Sequence, residues 1–327
     1  MVTQEQIARK LGVSRQLVTF ALGGYPQVSA KSRQRILDAA REMGYRPNPH
    51  ARALRRQRTG IVALWIPDQI STHYTQVARE LGRLAREARH ELIIAEVEAA
   101  DAQQVLSHVP VDAIIAVDAL KAVQRQLEGI GTGAVPVVSV GAYCSPRTDR
   151  VEVDLGSGTA AVMRHLFESG FQRIAHATFV RRDQPGESRR LGYSAAMRAA
   201  GRTPEFIYYP LTRNQKPVTR QLIQDYIRTA GRPDAIFCHS DDAALGIYRG
   251  LCDLGLRVPH DVALVGCDGI EDTEYLECPL TTLVQPVAEM CALAWQFVQR
   301  RLEQATLPQQ HAVLQPQLAV RASTSRN

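Results

Sequence analysis

Arg15 and Gln16 stand side by side at the start of RQLVTFAL, an eight-residue stretch with apolar residues at helical spacing. An exposed Arg can pair bidentately with guanine, and Gln with adenine, in the major groove of a duplex. That chemistry requires a helix presented by its N-terminal end, and the flanking residues supply the means. Ser14 is a suitable N-cap, Val18, Ala21 and Leu22 form an inward face, and Gly23, Gly24 and Pro26 break the stretch. Before it, Thr3 and Gln6 have capping-box spacing, Ile7, Ala8 and Leu11 make an apolar face, and Gly12 stops a first helix. After it, Ser29 caps a third, with Ile36, Leu37, Ala40 and Met43 facing inward and Gly44 as its stop. Two short helices joined at a glycine turn describe a helix-turn-helix, whose second helix reads the groove. A helical dimerisation module with a solvated basic face has the same pattern. Charge favours DNA: residues 1–58 hold twelve Lys/Arg against three acids, +9, whereas residues 59–327 hold twenty-seven against thirty, −3.

Other chemistries lack their residues. The six cysteines (Cys144, Cys238, Cys252, Cys267, Cys278, Cys291) show neither metal-ligand nor disulfide-framework spacing and read as reduced and structural. The sequence has no GxSxG or HExxH, and the nine histidines show no ligand spacing. GIGTG at 129–133 and the Gly156-Ser157-Gly158 turn complete neither a dinucleotide nor a phosphate-loop pattern, so no cofactor or metal is expected. An apolar share of 45% with 22% charged residues excludes disorder and collagen-like repeats. MVTQEQIARKL lacks a basic region followed by an apolar run, and Ile61–Pro67 is too short for a membrane span, so a cytoplasmic protein is expected.

From residue 60 onward, buried-strand runs alternate with amphipathic segments. Ile61–Pro67, Leu92–Val97, Asp112–Val117, Pro136–Gly141, Arg173–Phe179, Ala235–Ser240 and Ala263–Cys267 read as strands. Tyr74–Arg89, Gly158–Glu168, Ser188–Ala200, Val218–Ala230 and Asp242–Leu254 read as helices. This alternation predicts doubly wound parallel sheets, in more strands than one sheet usually holds. Such a fold serves enzymes and binding proteins alike.

The run IARKLGVSRQLVTFALGGYPQVSAKSRQRILDAAREMGYRPNPHARALRRQRTG resembles, without a gap, the DNA-binding headpiece of the lac repressor/galactose repressor family. VSAKSRQRILDAAREMGYRPN and ARALR carry the third helix, the turn after it and the hinge helix. The resemblance implies base reading by Arg15 and Gln16, a phosphate contact at Thr19 and a hinge segment beginning at Asn48. It also implies a hinge helix through Ala51, with Leu54 wedged between base steps in the minor groove. Arg55, Arg56 and Arg58 are better read as phosphate-facing charge. Phe20, Leu17 and Gly23 depart from the residues usual in the family, so the operator sequence cannot be copied from relatives. Phe20 can pack on a thymine methyl or turn into the headpiece core.

A second stretch, DAIFCHSDDAALGIYRGLCDLGLRVPHDVALVGCDGIEDTEYLECPLTTLVQP, resembles the effector-domain signature of the same family. That domain is similar to periplasmic sugar-binding proteins, with two subdomains, three crossing strands and a ligand in the cleft. The implied effector contacts are His73, Tyr74, Asp154, Arg189, Phe237, Asp241 and Asp268. Ser240 stands where an asparagine is usual. Taken as residues, Phe237 lies on a buried strand where a core role competes, and Asp241 is placed to cap the following helix. Arg181 and Arg182 suit either an anionic ligand or a solvated loop.

The expected fold class is an all-α helix-turn-helix headpiece plus an α/β effector domain of two doubly wound, periplasmic-binding-protein-like subdomains. The expected divisions are 1–46 for the headpiece, 47–59 for the hinge helix and linker, and 60–327 for effector binding and dimerisation. Within the last, residues 60–155 and 286–312 form one subdomain, and 156–285 and 313–327 the other. The expected function is transcriptional regulation by a homodimer, a repressor of operator DNA controlled by a small polar effector such as a sugar or sugar derivative. A DNA-localised α/β enzyme acting on the cleft ligand is the alternative, but no nucleophile–base pair can be assembled for it.

Overall fold

The computed structural model describes residues 2–45, 58–97, 109–128, 135–179 and 187–325. Asn48, Ala51, Leu54, Arg55 and Arg56 lie outside the described residues, as do Arg181, Arg182 and the glycines of 129–133. Two compact units emerge, Met1–Thr59 and Gly60–Asn327.

The first unit is three helices: α1 (Gln4–Leu11), α2 (Arg15–Leu22) and α3 (Ala30–Glu42). Their ends are set by local chemistry. Thr3 Oγ1 accepts from Gln6 N while Gln6 Oε1 accepts from Thr3 N, the reciprocal pair that satisfies two free donors. Ser14 Oγ accepts from Leu17 N at 3.1 Å, and Ser29 Oγ accepts from Ser32 N at 3.2 Å. The core holding α2 is small: Ile7, Ala8, Val18, Ala21, Val28, Ile36, Ala39 and Ala40. Each fully buried Ile or Val there contributes about 1.5–3 kcal/mol, which fixes the angle at which α2 is offered.

The second unit contains two six-stranded sheets built alike. The first sheet uses β1 (Ile61–Ile66), β2 (Glu91–Glu96), β3 (Ala113–Val117), β4 (Val137–Gly141), β5 (Asp149–Val153) and β11 (His311–Leu314), in the order β11-β5-β4-β3-β1-β2. The second uses β6 (Ile174–Thr178), β7 (Glu205–Tyr208), β8 (Ala235–Cys238), β9 (Ala263–Asp268), β10 (Thr281–Val284) and β12 (Gln317–Ala319), in the order β12-β10-β9-β8-β6-β7. All pairs are parallel except β10 with β12. Parallel strands need helical crossovers, which bury both faces, and this is why AIIAV and AIFC are apolar throughout. The chain passes between sheets three times: after β5, after β10 and after β11.

The helices joining these strands are α4 (Thr72–Glu87), α5 (Leu120–Glu128), α6 (Leu155–Glu168), α7 (Ser188–Ala199), α8 (Gln215–Ala230), α9 (Asp241–Asp253) and α10 (Val287–Glu303). No helix among the described residues is long and apolar enough to cross a membrane. The first core, including Leu64, Leu81, Ile115, Met163 and Val265, draws on both sheets. The cleft opens at the carboxyl ends of the strands, where doubly wound sheets place ligands.

Candidate functional site

In the headpiece, Arg15 and Gln16 are exposed on the first turn of α2. Thr19 lies one turn on, half-buried, its hydroxyl donating to Gln4 Oε1 at 2.9 Å. Phe20 does not face outward freely. It packs against the headpiece core and against Tyr25, with ring centroids 5.3 Å apart. Tyr25 in turn lies over Gly23, where a Cβ would come within 2.6 Å of its ring, so the glycine at that position makes room for the aromatic pair. Packing therefore accounts for two departures from the family's usual residues.

In the second unit, a cavity of about 910 Å³ lies between the two sheets. That volume suits a small ligand of one or two rings. His73, Tyr74, Asp118 and Tyr143 line it from the first subdomain, and Arg189, Asp242, Asp268 and Gln285 from the second. Of the residues implied by resemblance, His73, Tyr74, Arg189 and Asp268 are thus brought together. The structure places the other three elsewhere. Phe237 is wholly buried and stacks on His176 with centroids 4.9 Å apart, a core role. Asp241 is also wholly buried, its carboxylate consumed by Gly269 N, Ile270 N and the Thr282 hydroxyl at 2.7–2.9 Å. Gly266 makes this possible, since a Cβ there would meet the Asp241 carboxylate. Asp154 sits on the first crossing between sheets, where it caps α6 through Ser157 N at 3.0 Å and accepts from Gln315 of the third crossing at 3.5 Å. These three residues build the site without lining it.

Arg189 is the most firmly positioned lining group, with 4% exposure. Its guanidinium donates to Glu187 Oε1 at 2.7 Å, to the His239 carbonyl at 2.8 Å and across the cleft to Tyr143 Oη at 3.3 Å. Burial alone would depress Arg189, but Glu187 overrides it and the group stays charged. Burial likewise opposes ionisation of Glu187, yet the Arg189 guanidinium, with the Arg190 backbone N–H donating at 2.7 Å, holds its carboxyl well below the usual range. Buried His176, His239 and Glu187 bring their ligand-type atoms within 4.8 Å of one another. Glu187, however, already caps α7 and binds Arg189, and burial drives both imidazoles toward the neutral form, His176 down to about 4. Glu187 and the His239 carbonyl support Arg189, and His176 packs behind them on Phe237.

Asp118 and Asp242 were missed from sequence. Asp118 follows β3 directly, as Asp268 ends β9, so the carboxyl end of a buried strand was the available signal. Its Oδ1 accepts from Ala142 N and Tyr143 N at 2.8 and 3.0 Å. A Cβ on Gly141 would meet that oxygen at 2.5 Å, so Gly141 (φ 105°) is the notch in which the carboxylate sits. Asp242 accepts from Thr72 N at 3.1 Å across the cleft and pairs with Lys216. Tyr143 and Gln285 reach the cavity only through tertiary placement, Gln285 donating to Asp268 Oδ1 at 2.9 Å. Further bridges between subdomains come from Arg213, which pairs with Asp68 and Glu96.

A basic three-helix unit with Arg15 and Gln16 exposed, joined in sequence to a two-sheet cleft with converging polar groups, defines a ligand-responsive DNA-binding regulator. Residues 3–48 match the family model described as bacterial regulatory proteins, lacI family, and residues 163–324 the periplasmic binding protein-like domain. A ribose operon repressor of Haemophilus influenzae is 27% identical over 331 residues, covering 99% of this chain and 98% of that protein. The solved lac repressor dimer bound to operator and an anti-inducer superposes with a TM-score of 0.80 at 22% identity over 99% of each chain. A lacI-family regulator from Enterococcus faecium with bound ribose gives 0.73 at 21%, covering 81% of this chain and 98% of that one. The chain carries a lacI-family DNA-binding domain and a periplasmic-binding-protein-like domain, and the relatives that match it along nearly its full length are transcriptional regulators of the lac repressor/galactose repressor type.

Proposed function

We propose that the protein is a homodimeric repressor whose operator affinity is set by a sugar or sugar derivative bound in the cleft of residues 60–327. The single observation that carries this is the cavity lined from both subdomains, with Arg189 of one reaching Tyr143 of the other. A ligand contacting both walls binds the closed arrangement better than the open one, and that difference is all it can contribute to switching. The relatives' names favour a sugar, since they include ribose operon repressors and a ribose-bound structure. In the two-fold dimer each α2 would read one half of a near-palindromic site, with Arg15 and Gln16 on base edges, Thr19 on phosphate and the hinge residues Asn48, Ala51 and Leu54 beyond. The effector works by changing the angle between subdomains, transmitted through the hinge and linker of residues 47–59. The protein acts by binding, without turnover, inside the cytoplasm.

The test is fluorescence anisotropy of the full-length protein on an operator obtained by binding selection, with and without a sugar panel. At least one sugar should change operator affinity tenfold or more. Arg15→Ala should cost about 1–3 kcal/mol on operator while leaving nonspecific DNA binding nearly intact. Equal losses on both DNAs would contradict base reading, and a flat response to every sugar would contradict the assignment of the effector class.

A further inference from the structure

Two carboxylates face the cavity from opposite subdomains on an unusual backbone. Among the described residues, the non-glycines of positive φ are Arg89, Asp118 at 51° and Asp268 at 131°. Strain of this kind persists where the surroundings over-determine it, commonly at ligand sites. Here it sits at the carboxyl ends of β3 and β9 and turns both acids toward the cleft.

Neither acid has an ion pair among the described residues. Asp118 accepts two backbone N–H groups through Oδ1, and Asp268 accepts from Gln285 through Oδ1. The cations of the lining are engaged elsewhere or peripheral: Arg189 with Glu187, Arg213 with Asp68 and Glu96, and Lys121 exposed. The groups still seeking partners are mostly acceptors. Gln285 Oε1 is buried without a hydrogen bond, and both nitrogens of His73, itself only 3% exposed, lack partners. A neutral imidazole offers one donor and one acceptor, so a ligand for this set must be rich in donors.

We propose that the cleft selects a polyol bearing a protonated amine, of the amino-sugar class, whose ammonium is seated at the carboxylates of Asp118 and Asp268. This rests on reading the cleft as the effector site. Hydroxyls of a neutral sugar can donate to these oxygens, but they leave two anions desolvated in a closed site. An ammonium supplies three donors and cancels the charge. Burial raises the Asp268 carboxyl; the Arg189 cation and the Gln285 hydrogen bond work against that rise, and Asp242 and Asp118 add smaller pushes in its direction. Because the two acids belong to different subdomains, closure brings like charges together unless a cation comes between them. Recognition of the amine and closure of the cleft are therefore one interaction, which ties ligand class to regulation.

Isothermal titration calorimetry of the full-length protein, in an amine-free buffer, with D-glucosamine, D-galactosamine and D-mannosamine against their parent hexoses tests this. At least one amine should bind ten times more tightly than its parent. Asp118→Asn should bring that ratio within twofold, since Asn Oδ1 still accepts from Ala142 and Tyr143 and only the charge is lost. A parent hexose that binds as tightly as its amine overturns the amine assignment and leaves the cleft reading intact. A preference that survives Asp118→Asn overturns the role of Asp118. Absence of binding by all six sugars also overturns the amine assignment, while the operator titration judges the cleft reading separately.

Discussion

The two walls of the cleft are built on sheets of the same strand order, β5-β4-β3-β1-β2 and β10-β9-β8-β6-β7, yet they are finished differently. The second wall is held by buried bonds, with Gln285 Oε1 left open: Glu187 fixes Arg189, Gln285 ties Asp268 through its amide N–H, and Asp241 anchors the turn after β9 with three accepted hydrogen bonds. The first wall presents groups that are buried but open, His73 above all, with Asp118 secured through one oxygen. One wall is pre-organised and the other awaits a partner. A ligand docking on the second wall meets finished geometry, and its remaining bonds are made as the first wall closes on it.

Substitutions can break this contrast, and the largest effect is expected at Arg189. Arg189→Ala leaves Glu187 buried without its charge partner, so it should cost about 3–5 kcal/mol in urea denaturation and remove the effector response. A loss below about 1 kcal/mol, the scale of an exposed pair, would show that the second wall is not pre-organised. Asp268→Asn tests the charge rather than the framework. Its carboxyl is raised by burial and by the facing acids, so the folded wild type binds a proton more tightly than the unfolded chain. The Asp268 contribution to the stability of the ligand-free protein should therefore fall as pH rises above about 4, the unfolded value. Asp268→Asn should melt about 2 °C or more higher than wild type at pH 8, with the gain vanishing near pH 4. Glu187 has the opposite sign: its depressed carboxyl stabilises the fold above the usual carboxylate range, and that contribution is lost on acidification.

Two smaller effects sharpen the boundary between wall and support. Asp154→Ala removes the cap of α6 and should cost about 1 kcal/mol. Its effector affinity, measured by calorimetry, should stay within twofold, and a tenfold drop would return Asp154 to the ligand shell. Tyr143→Phe deletes one hydrogen bond between the walls, the one to Arg189. At about 0.5–1.5 kcal/mol it should weaken effector binding several-fold with little change in melting temperature.

The headpiece was legible almost residue by residue because its information is local. Thr3, Ser14 and Ser29 cap the helices they precede, and Gly12 ends the first at φ 64°. The central strands were legible too, since a parallel strand buried on both faces must be continuously apolar. The short strands β7, β10, β11 and β12 and the helices α5 and α10 were not identified from sequence. Strands of three or four residues show too little pattern, and the half-exposed HAVL and QLA depend on the edges they join.

The site divides along the same line. Arg189 and Asp268 were named from their motifs, and Asp118 could have been, because a carboxylate ending a buried parallel strand lies at the mouth of the cleft. The sequence by itself determined the basic DNA-reading end, the doubly wound fold and the residue types available to a polar ligand, because caps, periodicity and charge act over a few residues. Tertiary structure decided which of those residues meet. It sank Phe237 into the core, spent Asp241 on backbone donors and Asp154 on a helix cap, and brought Tyr143, Gln285 and Asp118 to the cavity from distant segments. Which carboxylates are left for a ligand depends on which donors the fold has already placed beside the others.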